Sequence, residues 1–137
     1  MNTPDSVAGF AERALSIRQP WAELILVGRK RYELRGWKTS YRGPILVHAA
    51  QRIEKLATSK AGLAVDNLVT GAIIGKVDIV DCEPFTPEIA DEMRQALAYF
   101  SEWVPDLYAW KLERPVRLRE PIPYRGKLGL FRVRNVD

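Results

Sequence analysis

Apolar and polar residues alternate from Ala14 to Arg18 (ALSIR), the period of a half-buried strand. Gln19-Pro20-Trp21 then opens a helix, with Pro20 in the first turn, where its missing N–H costs nothing. Trp21, Leu24, Ile25 and Val27 continue at helical spacing, and Gly28 is placed to end the helix in a left-handed cap. So short a helix is expected to be held by packing rather than by propensity. Lys30–Trp37 predicts a strand with Tyr32 and Leu34 on one face and Arg31, Glu33 and Arg35 on the other. After a turn at Gly43-Pro44, the almost continuous apolar run Ile45–Ala50 (ILVHAA) predicts a buried central strand.

Gln51–Leu56 and Leu63–Val69 read as short helices around Gly62. Gly71–Cys82 is the longest strand pattern, with Gly75 marking a bulge or bend. Thr86-Pro87-Glu88 starts a helix: a hydroxyl cap, a first-turn proline and an acid at the positive end of the dipole. Ile89, Met93, Leu97 and Phe100 line one face of that helix, which is expected to end near Trp103. Leu107–Glu113 and Val116–Glu120 predict two strands separated by Arg114-Pro115, and Leu128–Val133 a last one. Short strands with helices inserted irregularly argue against a doubly wound parallel sheet. The expected class is α+β, mainly β: a small, mostly antiparallel barrel decorated by short helices. Residues 1–13 read as a flexible leader and 14–137 as one domain, a size at which a single core suffices.

Composition narrows the chemistry by exclusion. One Cys and one His cannot build a structural zinc site, and no disulfide framework can form. No metal or cofactor is expected. No apolar run is long enough to span a bilayer, and the first residues lack the pattern of a secretory signal, so a cytoplasmic location is expected. The net charge of +4 is modest but uneven. Arg29–Arg42 is basic apart from Glu33, and Lys111–Arg134 is basic apart from Glu113 and Glu120. Asp78–Asp106 between them carries acids and only Arg94. A face of positive potential can steer a polyanion, although two solvated basic strands opposite an acidic helix would give the same pattern.

No serine-nucleophile elbow, phosphate loop or dinucleotide fingerprint is present. His48, the sole imidazole, lies inside an apolar strand, where a hydrogen-bonded core role competes with a functional one. Cys82 stands between Asp81 and Glu83, a poor setting for a thiolate nucleophile. Lys30, Glu33 and Arg35 are the strongest candidates. Arg forks two hydrogen bonds to phosphate or a base edge, Lys offers a point charge, and Glu accepts from an exocyclic amine. A same-face ion pair of Glu33 and Arg35 is the structural alternative. Trp21, Trp37, Tyr41 and Trp110 are candidate stacking surfaces for an unpaired base.

Residues 16–49 closely resemble the ASCH domain family of the PUA-like superfamily. The hallmark G-x-K-x-x-E-x-R stands here as Gly28, Lys30, Glu33 and Arg35, after Gln19-Pro20-Trp21 and before Trp37, Tyr41-Arg42-Gly43-Pro44 and His48. Tyr108–Glu113, Glu120-Pro121-Ile122-Pro123, Gly126-Lys127 and Gly129-Leu130 extend the likeness toward Val133. The resemblance implies a PUA-like barrel with a cleft beside the Pro20 helix, binding RNA or a modified nucleotide, with DNA as the alternative polymer. Binding is expected from Gln19, Trp21, Lys30, Glu33, Arg35, Trp37, Lys38, Arg42, His48 and Trp110. It also leaves open an enzyme in the same cleft, a ribonuclease or an amidohydrolase of the kind that deacetylates N4-acetylcytidine. Lys30 and Glu33, with His48 and Glu113 behind them, are its candidate catalytic groups. The threonine that such amidohydrolases use is replaced by Glu33, which removes a hydroxyl nucleophile. A third reading is a protein-interaction adaptor, as in coactivators that carry this domain. Lys30 is expected to serve the ligand, so that Lys30→Met weakens nucleotide or RNA binding at least several-fold and leaves the melting temperature nearly unchanged.

Overall fold

The computed structural model describes residues 11–97 and 102–134; most of the expected leader and Phe100 lie outside them. One six-stranded sheet carries the fold. In chain order the elements are β1 (Arg13–Gln19), α1 (Trp21–Leu26), β2 (Tyr32–Arg35), β3 (Gly43–Ile53), α2 (Lys55–Lys60), β4 (Ala72–Pro84), α3 (Pro87–Leu97), β5 (Tyr108–Pro123) and β6 (Leu130–Arg132). Across the sheet they run β2-β5-β4-β3-β1-β6. Every neighbouring pair is antiparallel except β1 and β3, which run parallel. The order does not close on itself, yet the sheet is strongly curled. Arg35, on the edge strand β2, donates to the Ser16 carbonyl on β1 at 2.9 Å, although three strands stand between them. A side chain thus bridges the seam that a ladder would close in a full barrel.

The burial pattern explains the strand signals. Ile45, Val47 and Ala49 point into the main core with Leu15, Ile17, Ile74, Val77, Ile79 and Trp110, while Leu46 faces a second cluster with Ala14, Ile73, Leu118 and Phe131. Both faces of β3 are covered, which is why its sequence reads as an unbroken apolar run. Helix α1 plugs the main core with Ala22, Ile25 and Leu26. Helix α3 packs Ile89, Ala90, Met93 and Leu97 onto Leu24, Tyr32, Phe85 and Ala109. Its start matches the expectation: the Thr86 hydroxyl accepts from the Ile89 N–H at 3.2 Å.

Four local expectations are corrected. Gln51–Ile53 continues β3 rather than forming a helix, because Ile53 pairs with Gln19 of β1; the helix begins only at Lys55. In Leu63–Val69 only a 3₁₀ turn, Val65–Asn67, is present. The two strands expected around Arg114-Pro115 are one strand, β5. There the register slips by one residue between the pairs Lys76–Val116 and Asp78–Glu113, and Arg114 takes a positive φ of 57°. A bulge absorbs the proline, and Arg114 Nε donates to Asp78 at 2.7 Å. The last strand is shorter than expected, since Gly129 turns at φ 65° and Leu128 leaves the sheet.

Candidate nucleic-acid interface

Helix α1 ends at Gly28, whose φ of 82° turns the chain back so that the Arg29 and Lys30 amides both bond the Leu24 carbonyl. This aims Lys30 inward. Its Nζ lies 2.6 Å from Glu33 Oε1 and donates to the Tyr32 carbonyl at 2.6 Å. Glu33 Oε2 accepts from Arg35 Nε at 2.8 Å. The side chains of Lys30 and Glu33 are only 6% and 9% exposed, whereas Arg35 is 24% exposed. Burial pushes the Glu33 carboxyl up, but the Lys30 ammonium and the Arg35 guanidinium outweigh it and hold it below the usual carboxylate range. Glu33 is therefore an anchor: it fixes two cations and remains ionised. Arg35 Nη2 also holds the Ser16 carbonyl, while Nη1 has no partner among the described residues.

Two recesses meet at this arginine. One, of about 480 Å³, is lined by Ser16, Arg18, Trp21, Lys30, Glu33 and Arg35, and lies against the start of α1. The other, of about 900 Å³, shares Ser16, Arg18 and Arg35 and continues over His48 to the loop Tyr124–Gly129. His48 Nε2 lies 2.6 Å from the Tyr124 carbonyl, which can only accept, so Nε2 carries the proton. In the neutral ring Nδ1 then accepts from the Ser16 hydroxyl at 3.0 Å. Gly126 lies directly over this pair: a Cβ there would come within 2.9 Å of Ser16 Oγ and 2.8 Å of His48 Cε1.

The structure thus brings Lys30, Glu33, Arg35 and Trp21 to one cleft and sets His48 in the floor of its continuation. The other expected contacts are elsewhere. Trp110 is fully buried, donates its indole N–H to the Trp37 carbonyl at 3.2 Å and offers no face to a base. Trp37 is exposed but packs edge-on against Trp110, outside both recesses. Gln19 is fully buried: its Nε2 donates to the Val69 carbonyl and its Oε1 accepts the Glu23 N–H, so it caps α1. Arg42 ties down its own turn through the Thr39 and Tyr41 carbonyls, and Lys38 is exposed on the same segment. Glu113 pairs with Arg114 at 3.1 Å and lines a third recess with Arg31, Tyr32 and Lys111, not the cleft. Reading along the chain missed Arg18, Arg125 and the Ser16 hydroxyl. The clue to Arg125 was the basic, glycine-broken run Arg125-Gly126-Lys127.

Among the described residues no three of His, Cys, Asp or Glu gather to hold a metal ion, and no helix is long and apolar enough to cross a membrane. The family model of the ASCH domain matches residues 15–122, from β1 to the end of β5. The chain belongs to the ASCH domain family. Over 80 residues the chain is 32% identical to Activating signal cointegrator 1 of Homo sapiens, covering 50% of this chain and 14% of that protein. The Mus musculus protein of the same name gives the same identity and coverage. The ASCH chain thus spans a small part of these relatives. In fold it is similar to the ASCH crystal structure from Zymomonas mobilis, with a TM-score of 0.61 at 15% identity over 90% of this chain and 87% of that one. A point mutant of the Zymomonas protein superposes with a TM-score of 0.60 at 16% identity, covering 96% and 91%.

Proposed function

We propose that this ASCH domain binds RNA or a modified nucleotide through the two joined recesses. A base lies in the smaller one beside Trp21, and its phosphates lie along the larger one. The observation that carries the reading is Arg35. It stands where the recesses meet, is oriented by Glu33 and by the Ser16 carbonyl, and keeps Nη1 without a protein partner among the described residues. A guanidinium held in this way is preorganised to fork onto a phosphate or a base edge. Arg18, Arg125 and Lys127 add charge along the same recess, and a strand that neutralises them must bind more weakly as salt rises.

The test is fluorescence anisotropy with a labelled single-stranded RNA octamer, its DNA counterpart and nucleoside monophosphates between about 50 and 200 mM salt. Arg35→Lys keeps the charge and loses the fork, and is expected to weaken RNA binding at least tenfold. Arg31→Met, on the third recess, is expected to change it by less than about twofold. Equal losses in both variants would mean that only diffuse charge matters, and no binding by the unmodified protein at 50 mM salt would end the reading.

One observation favours a hydrolytic second reading. The hydroxyl absent at Glu33 is present at Ser16, 3.0 Å from an imidazole whose other nitrogen is fixed by a carbonyl. That is the geometry of a base-activated nucleophile. Release of acetate from an N-acetylated nucleoside, lost in Ser16→Ala, would support it; unchanged release in Ser16→Ala would exclude Ser16 as the nucleophile.

A further inference from the structure

The loop after β5, residues 124–129, is built as a finger with a pinned base and a free tip. Tyr124 holds the base in three ways. Its N–H donates to the Gly71 carbonyl at 3.1 Å, its carbonyl takes the His48 Nε2 hydrogen, and its hydroxyl accepts the Arg134 N–H at 3.0 Å. Gly126 then lies against Ser16 and His48, a contact that no larger residue can make. Beyond Gly126 the chain stands clear of the protein. Leu128 is 98% exposed, while Arg125 and Lys127 beside it are also exposed. The whole finger forms one wall of the larger recess, facing Arg18 and Arg35.

A single exposed leucine needs no explanation by itself. This one is carried at the tip of an anchored, basic loop that overhangs a groove already lined with cations. We infer that Leu128 is a wedge. It enters between two adjacent bases of a bound single strand, while Arg125 and Lys127 hold the phosphates on either side, so that one nucleotide is unstacked and free to turn into the Trp21 cleft. The inference rests on the nucleic-acid reading above and adds how the strand is opened. Apolar side chains that part a base step are a recurring device, used together with basic contacts to the backbone beside them. The anchored base matters for the same reason, since a loop already fixed loses little freedom on binding. A lipid surface is the other partner that a basic loop with an apolar tip can suit. One leucine is a weak anchor there, and the recess behind it is floored by His48 and Ser16 and edged by Arg18 and Arg35.

A single-stranded RNA octamer carrying one 2-aminopurine tests the wedge, because the fluorescence of that base rises when it unstacks. At saturation the unmodified protein is expected to raise the signal at least threefold. Leu128→Ser is expected to bind within about tenfold of the unmodified affinity and, once saturated, to leave the signal near that of free RNA. Lys127→Ala is expected to bind more weakly with a shallower salt dependence, yet to reach the full signal when saturated. If the unmodified protein binds without raising the signal, or Leu128→Ser raises it fully, the wedge is wrong and the binding reading stands. If no variant binds RNA, both fail together. Cosedimentation with phosphatidylserine vesicles that is lost in Leu128→Ser, without RNA binding, would assign the finger to a membrane and overturn the proposal.

Discussion

Lys30→Met asks whether the motif lysine serves the ligand or the fold. Reading along the chain places it on the ligand side; the geometry places it on the other. The Lys30 ammonium makes two 2.6 Å contacts, to Glu33 Oε1 and the Tyr32 carbonyl, with both side chains of the pair under a tenth exposed. Removing one partner of a buried pair costs roughly 3–5 kcal/mol, because the remaining charge stays desolvated. Glu33 retains Arg35 at 2.8 Å, so the low end applies, about 3 kcal/mol. For a chain of this size that is a fall in melting temperature of roughly 10–15 °C.

The pH profile separates this cause from a mere packing loss. A carboxylate held below its ordinary value of 4.5 contributes stability above that value and loses it as pH falls through the lower folded value. Lys30→Met removes the strongest attraction on Glu33, so its stability is expected to depend less on pH below about 5 than that of the unmodified protein. In the double variant Lys30→Met/Glu33→Gln the second change is expected to recover part of the loss, a coupling of about 1–3 kcal/mol. The assay is thermal unfolding followed by circular dichroism between pH 3 and 7 for the four members of the cycle. A melting temperature within 2 °C of the unmodified protein, with an unchanged acid limb, would refute the buried-pair argument.

Three further outcomes follow from the same geometry. Gly126→Ala pushes a methyl into Ser16 Oγ and His48 Cε1, and is expected to cost about 1–3 kcal/mol in urea unfolding and to lift the finger off its base. Gln19→Ala strips the Val69 carbonyl and the Glu23 N–H of their partner, and is expected to cost about 1–3 kcal/mol in the same assay without changing the salt dependence of RNA binding. Tyr32 is pushed up to about 12 by burial and by Glu92, so an ultraviolet titration is expected to show the Tyr32 phenol ionising there, at a lower pH in Glu92→Gln. The unfolded phenol ionises near 10, so stability is intact below that and falls as pH rises toward 12.

The parts of the fold that were legible are those where local pattern and tertiary role coincide. Ile45–Ala49 reads as central because both faces of β3 are in fact covered, and Gly28 reads as a cap because the turn needs its positive φ. What stayed hidden depends on who covers whom. Lys30 lies just before β2 and Glu33 on it, at positions that look solvated in the sequence; the fold buries both, and nothing in residues 30–35 announces that cover. Trp110 has the same composition signal as Trp21, and only the curl of the sheet puts one in the core and the other on the cleft. The bulge at Arg114 reads as a break because a proline normally ends a ladder, whereas here the strand slips one register and continues.

Strand β1 waits for β6. β1 pairs on one side with β3 and on the other with β6, and the Val133 N–H reaches back to the Glu12 carbonyl. Contacts of such sequence separation are slow to form, since the loop between them must be closed before they return any energy. Until residues 130–134 emerge, β1 keeps a bare edge, and Tyr124 lacks the backbone amide of Arg134 that steadies its hydroxyl. A nascent chain can gather its apolar strands well before that point, but the recess over Ser16 and His48 has no steadied wall until β6 is in place beside β1.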